Sequence, residues 1–199
     1  TDSGNLFGAL EFSISMADVG VQPIIGCQIG IRRKLEQVSS STTPAPDQLV
    51  LLAKDVDGYS NLLKLVSASY LTADDGESAQ ISIDALEEYN TGLIALTGGV
   101  KGAIGRMLVE GHVPGAEAML SRLRNIFDDR LYVEIMRHGI PEEKQTETWN
   151  SNVDLKVALV NTQANKTGRR AYSQRSGYRE KFTLPWYVTN QLSVVCSFH

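Results

Sequence analysis

The stretch Leu49-Val50-Leu51-Leu52-Ala53-Lys54-Asp55-Val56-Asp57-Gly58-Tyr59-Ser60-Asn61 decides the fold class. Its first five residues are a short apolar run of strand length, and Asp55 or Asp57 can start a helix that continues through Leu62, Leu63, Leu65, Val66 and Tyr70. A strand that passes into a helix within a few residues is the repeating unit of an α/β fold. The same alternation extends in both directions. Upstream, Asn5 can cap a helix whose apolar residues Leu6, Leu10, Ile14 and Ala17 recur at helical spacing, with Gly20 closing it. The apolar, β-branched run 23–31 then predicts a buried strand, and the Ser-, Thr- and Pro-rich residues 39–46 a loop. Downstream, Ser82 can cap a short helix, Gly92 introduces a strand over 93–96, and Gly98-Gly99 precedes helices at 103–110 and 114–127. After a turn at Asp128-Asp129 come a strand over 131–136 and a helix beginning near Glu142. This order predicts βαβ units and a mainly parallel sheet, open or closed into a barrel, with loops at the carboxyl ends of strands available for chemistry.

A chain of 199 residues has the length of one domain, and its 42% hydrophobic and 21% charged content is that of a globular protein. No run of about 18 apolar residues predicts a membrane span. The start, Thr1-Asp2-Ser3-Gly4-Asn5, has neither the basic nor the apolar region of a signal peptide and no initiator Met, so the chain reads as a fragment. Cys27 and Cys196 lie far apart without metal-site spacing, and a reduced, cytoplasmic protein is the simpler reading, with a disulfide left open. Charge is unevenly placed: residues 1–149 sum to −9 and residues 150–199 to +5. The division expected is therefore an α/β domain over 1–149 and a divergent basic tail over 150–199. In that tail residues 157–160 could make a strand, residues 161–181 show neither helical nor strand period, and the end, 192–198, is apolar without clear context.

Five segments, in order, resemble the PHP domain of bacterial DNA polymerase III alpha subunits. Thr1-Asp2-Ser3-Gly4-Asn5 resembles the family's Thr-Asp-His-Gly-Asn, and Pro23-Ile24-Ile25-Gly26-Cys27-Gln28 its Pro-Ile-Ile-Gly-Cys-Glu strand. The opening stretch from Leu49 to Asn61, the Gly92-Leu93-Ile94-Ala95-Leu96-Thr97-Gly98 strand, and Glu134-Ile135-Met136-Arg137-His138-Gly139-Ile140-Pro141-Glu142 match in the same way. The resemblance covers roughly the first 150 residues and implies a distorted (β/α)7 barrel, here incomplete at its N-terminus and followed by an atypical C-terminal tail.

In active members of that family, histidines and acids hold divalent metals that generate hydroxide and neutralise phosphate charge. At four family ligand positions this chain has Ser3, Gln28, Gln48 and Gly99 instead. A hydroxyl and neutral amides are poor ligands for a dication, and glycine offers no side chain. The family's first His-x-His and last Asp-x-His are absent from the sequence; Gln163-Ala164-Asn165 follows the run that faintly echoes the strand before the latter. The resemblance therefore implies no catalytic residue, no metal and no cofactor in this fragment, with Mg2+ belonging to the parent polymerase. It implies a role in DNA replication as a structural and interaction module. The partners it implies are the remainder of the alpha subunit, the proofreading exonuclease subunit and, in the parent complex, DNA. The alternative is a metal-dependent phosphoesterase or 3′–5′ exonuclease, as in members with intact ligands. Whether the chain is an enzyme stays open: the parent resembles a DNA-directed DNA polymerase, a nucleotidyltransferase, while the fragment reads as inactive.

Other residues invite sharper readings. His138 reads as a capping or hydrogen-bonding side chain rather than a ligand, and His112 as a solvated surface residue. Asp2 is either a surviving acid of the old site or a turn-forming or capping aspartate. Gly98-Gly99-Val100-Lys101-Gly102 follows a strand and precedes a helix but lacks the Gly-Lys-Ser/Thr ending of a phosphate loop, which favours a tight turn. Lys166, Arg169, Arg170, Arg175, Arg179 and Lys181, interleaved with Tyr172 and Tyr178, could contact nucleic-acid phosphates and bases, against the plainer reading of a solvated basic tail.

Overall fold

The computed structural model describes residues 1–33, 44–73, 76–136, 138–152 and 157–159. The six candidate nucleic-acid contacts from Lys166 to Lys181, and Cys196, lie outside the described residues. Strands and helices alternate as β1 (Asp2–Ser3), α1 (Ala9–Asp18), β2 (Gly26–Ile31), β3 (Asp47–Ala53), α2 (Val56–Leu71), α3 (Ile83–Glu88) and β4 (Leu93–Leu96). They continue as α4 (Ala103–Val109), α5 (Val113–Phe127), β5 (Leu131–Ile135), α6 (Pro141–Asn152) and β6 (Val157–Leu159). Among the described residues six strands form the sheet, in chain order β1-β2-β3-β4-β5-β6.

The sheet is mixed, which corrects the expectation of a mainly parallel one. β1–β2, β4–β5 and β5–β6 are parallel, whereas β3 runs antiparallel to both β2 and β4. The three parallel neighbours are each joined through helices, α1, α4–α5 and α6, as a parallel crossover requires.

Side chains alternate across the strands and divide the core in two. On one face Cys27, Ile29, Leu49, Leu51, Leu93, Ala95 and Leu131 meet Leu62 and Leu65 of α2, Leu86 of α3, Ile104 and Leu108 of α4, and Leu123 and Phe127 of α5. Fully burying a side chain such as Phe127 stabilises by about 1.5–3 kcal/mol. The other face carries a smaller cluster of Leu52, Ile94 and Tyr132, with Ile24, Val50 and Leu96 packed against it.

Local chemistry sets most boundaries. Asp55 caps α2, its Oδ1 accepting the Gly58 N–H at 2.8 Å, and Ser82 caps α3 by accepting from the Ala85 N–H at 3.1 Å. Gly58 is required for a different reason: a Cβ there would collide with the Gly92 carbonyl oxygen, so α2 touches the turn before β4 backbone to backbone. Between β3 and α4, Asp47 is 3% exposed and accepts Arg106 Nε at 2.6 Å and Nη2 at 3.0 Å. Arg33 Nε approaches the same carboxylate at 3.0 Å without hydrogen-bond alignment, and Arg106 Nη1 reaches Glu110 at 2.7 Å.

Helix α1 departs from the sequence reading. Asn5 does not cap it; its Oδ1 accepts from the Phe7 N–H at 3.1 Å in a turn before the helix, and the cap position is Gly8. Nor does its apolar spacing mark a buried face. Leu10 and Ile14 are 73% and 54% exposed, and Ala9 alone of the helix is fully buried. Helical periodicity reports a face that can be covered, and among the described residues nothing covers this one.

Candidate functional site

The smaller apolar face is where the family ligand positions meet. β1 and β2 align Ser3 with Gln28, β2 and β3 align Gln28 with Val50 and Gly30 with Gln48, and β3 and β4 align Val50 with Leu96. Leu96 in turn aligns with Tyr132 on β5. Strand alternation therefore puts Ser3, Gln28 and Gln48 on the side that carries Val50, Leu96 and Tyr132. Gly99 lies just beyond β4, at the head of a short 3-10 turn, Gly99–Lys101. Gly98 and Gly99 both have positive φ, 77° and 56°, which makes this segment the tight turn expected of it.

The chemistry of these four positions does not fit a divalent metal. One hydroxyl, two neutral amides and a backbone without a side chain offer no charge to offset a dication's lost hydration. At Gly99 even the space is filled: a Cβ would lie 3.0 Å from the Met136 sulfur. Among the described residues no group of three or more His, Cys, Asp or Glu side chains is arranged to hold a metal ion.

Among the described residues one acid of the sheet lies on this face, Glu134, which residue type alone does not single out. Glu134 follows Tyr132 on β5 and is 4% exposed. Its N–H donates to Thr97 Oγ1 at 3.0 Å, and its carboxylate accepts the Gly98 N–H. The second carboxylate oxygen, Oε2, is buried and has no hydrogen-bond partner among the described residues. Burial pushes this carboxyl up to about 7, against the opposing pulls of the Gly98 N–H and of His138. The signal available in the sequence was a lone acid between Val133 and Ile135 in an otherwise apolar strand.

Next to it, the turn from β5 into α6 is held by Glu143. One of its oxygens accepts the His138 and Gly139 N–H groups at 2.6 and 3.1 Å, and the other meets His138 Nδ1 at 2.5 Å. Burial pushes the Glu143 carboxyl up, but these three contacts outweigh it and hold the group below the ordinary carboxylate range. His138 is thus a hydrogen-bonding part of the turn. His112 is exposed at the start of α5, and Asp2 acts as a turn aspartate whose Oδ2 accepts the Gly8 N–H at 3.2 Å. Cys27 is a fully buried free thiol, pushed up to about 11 chiefly by burial.

A mixed sheet with helices, bearing Ser3, Gln28 and Gln48 on one face, is consistent with a PHP-type fold. The PHP domain profile matches residues 1–138, and the chain belongs to that family. Its relatives narrow the class further: they are DNA polymerase III alpha subunits. That of Caulobacter vibrioides is 36% identical over 164 residues, covering 80% of this chain and 14% of the relative. That of Rickettsia bellii is 37% identical over 166 residues, covering 83% and 14%. That of Thermus aquaticus is 38% identical over 150 residues, covering 73% and 12%. The chain thus matches about one-seventh or less of the length of these relatives. No described helix is long and apolar enough to cross a membrane.

Proposed function

We propose that this chain is the PHP-domain portion of a DNA polymerase III alpha subunit and serves in replication as a non-catalytic structural and interaction module. Its partners are the rest of the alpha polypeptide and the proofreading exonuclease subunit; Mg2+ and DNA belong to the parent polymerase. In this reading the sheet is part of a distorted seven-stranded barrel. The observation that carries it is the neutral donor set on one packed face: Ser3, Gln28 and Gln48 share that face with Val50, Leu96 and Tyr132, while the Gly99 position is crowded by Met136.

The experiment is metal analysis of the purified chain after equilibration with Mn2+ or Zn2+, together with hydrolysis of a phosphomonoester and of single-stranded DNA. The expected result is less than one bound ion per chain and no hydrolysis above background. Stoichiometric metal with either activity would establish the competing phosphoesterase or 3′–5′ exonuclease reading. A pull-down of the exonuclease subunit with the alpha polypeptide containing this domain tests the interaction half. Binding that survives disruption of the domain's surface would refute it.

A further inference from the structure

We propose that Glu134 is a proton-operated latch on the glycine turn that follows β4, closed when its carboxyl is neutral and loosened when it ionises. The geometry has three parts. The carboxyl is 4% exposed, and Oε2 has no hydrogen-bond partner among the described residues. Among the described residues its hydrogen-bond donor is the backbone N–H of Gly98, and Gly98 and Gly99 form a two-residue hinge at positive φ. Glu134 is also tied through its own N–H to Thr97, the residue that leads into that hinge. A neutral acid needs little from this surrounding, whereas among the described residues a buried anion has only the Gly98 N–H and the pull of His138 to offset its desolvation. Rotation at the hinge is the nearest way to bring water to it.

The charged groups around the carboxyl favour this balance. β4 contributes none, since Leu93–Leu96 are apolar, and the described residues of β6, Val157–Leu159, are apolar as well. From β3, Asp47 belongs to the opposite face and is committed to Arg106, leaving the neutral Gln48 on the side of Glu134. The hinge itself carries Lys101, which is exposed. From the turn into α6, His138 pulls toward ionisation, but its Nδ1 is already held by Glu143. Arg137 lies outside the described residues. The burial that pushes the carboxyl up to about 7 places the changeover within the neutral range.

The test is amide hydrogen exchange of the full chain at pH 6 and pH 8, corrected for intrinsic exchange. If opening restores an ordinary carboxyl, protection of the amides at 97–102 falls about tenfold between those pH values beyond the intrinsic change. Protection of β2 and β3, Gly26–Ile31 and Asp47–Ala53, starts higher and falls steeply with added urea, because these strands open only with the whole fold, whereas the amides at 97–102 open without a urea dependence. Glu134→Gln, which keeps the shape and removes the charge, should abolish the pH dependence. Hinge amides no less protected than β2 and β3, and equally dependent on urea, would mean that Glu134 only tunes global stability, and the latch would be refuted. Hinge protection that does not change with pH would overturn it equally. Should Glu134→Gln fail to fold, infrared spectroscopy of the wild-type chain decides: a protonated-carboxyl band present at pH 6 and lost at pH 8 is expected, and its absence at pH 6 overturns the proposal.

Discussion

Replacing Asp47 by Asn removes the one carboxylate that two arginines share. The residue is 3% exposed, receives two hydrogen bonds from Arg106 and lies 3.0 Å from Arg33 Nε. Removing one partner of a buried ion pair costs about 3–5 kcal/mol, because the remaining charge keeps its desolvation penalty. Here the lower end applies. Arg106 keeps Glu110 through Nη1, and the Arg106 and Arg33 side chains are 20% and 23% exposed, so water relieves part of the loss. The expected destabilisation is about 3 kcal/mol, a fall in Tm of roughly 6–12 °C for a chain of this size. Urea denaturation followed by far-UV circular dichroism measures it, with an unchanged slope showing that the unfolded state is unaffected. A double-mutant cycle with Arg106→Met should return a coupling of at least about 1.5 kcal/mol. A loss below about 1 kcal/mol, or additive single effects, would show that this pair behaves as an exposed surface bridge and that the network is not what joins β3 to α4.

Three further outcomes follow from local geometry. Glu134 has a folded-state pKa of about 7 against an ordinary 4.5, so the native state holds the proton more tightly. The resulting penalty, at most about 3 kcal/mol, is fully present above the folded value and relieved as pH falls from 7 toward 4.5; urea midpoints of wild type and Glu134→Gln at pH 5.0 and 8.5 should converge at the lower pH. Gly58→Ala would gain about 1 kcal/mol of helix propensity, but its Cβ collides with the Gly92 carbonyl oxygen, so a net loss of about 2 kcal/mol or more is expected in thermal melts. Asp55→Ala removes the α2 cap and should cost about 1 kcal/mol, with Asp55→Ser restoring most of it.

The legible parts of the fold were those decided by neighbours in the chain. Ser82 caps the helix it was expected to cap, Asp55 proves to be the one of the two candidate aspartates that caps α2, and the run 93–96 becomes β4 directly after Gly92. The expected strand at 131–136 is seen as Leu131–Ile135, and Gly98-Gly99 makes the turn that follows β4. What the sequence concealed depends on partners distant in the chain. The direction of β3 is fixed by pairing with β2 and β4, and a run such as Leu-Val-Leu-Leu has no inherent sense. Leu10 and Ile14 have the spacing of a buried face and lie exposed, because spacing does not record whether a cover exists. At the site, motif order located Ser3, Gln28 and Gln48 on what proves to be one face. Glu134 escaped notice because its significance comes from burial and from an oxygen without a hydrogen-bond partner among the described residues, neither of which is written in residue type.

The reversed course of β3 has an architectural consequence. In an all-parallel sheet, every side chain at one rim comes from the end of a strand and is steered by the loop that leaves it. Here Gln48 enters that rim from the beginning of β3 while Gly99 departs from the far end of β4. The two walls are therefore governed by unrelated connections, one arriving through Pro46 and the other leaving toward α4. Insertions ahead of Pro46 can reshape one wall of the rim while the opposite wall keeps its form.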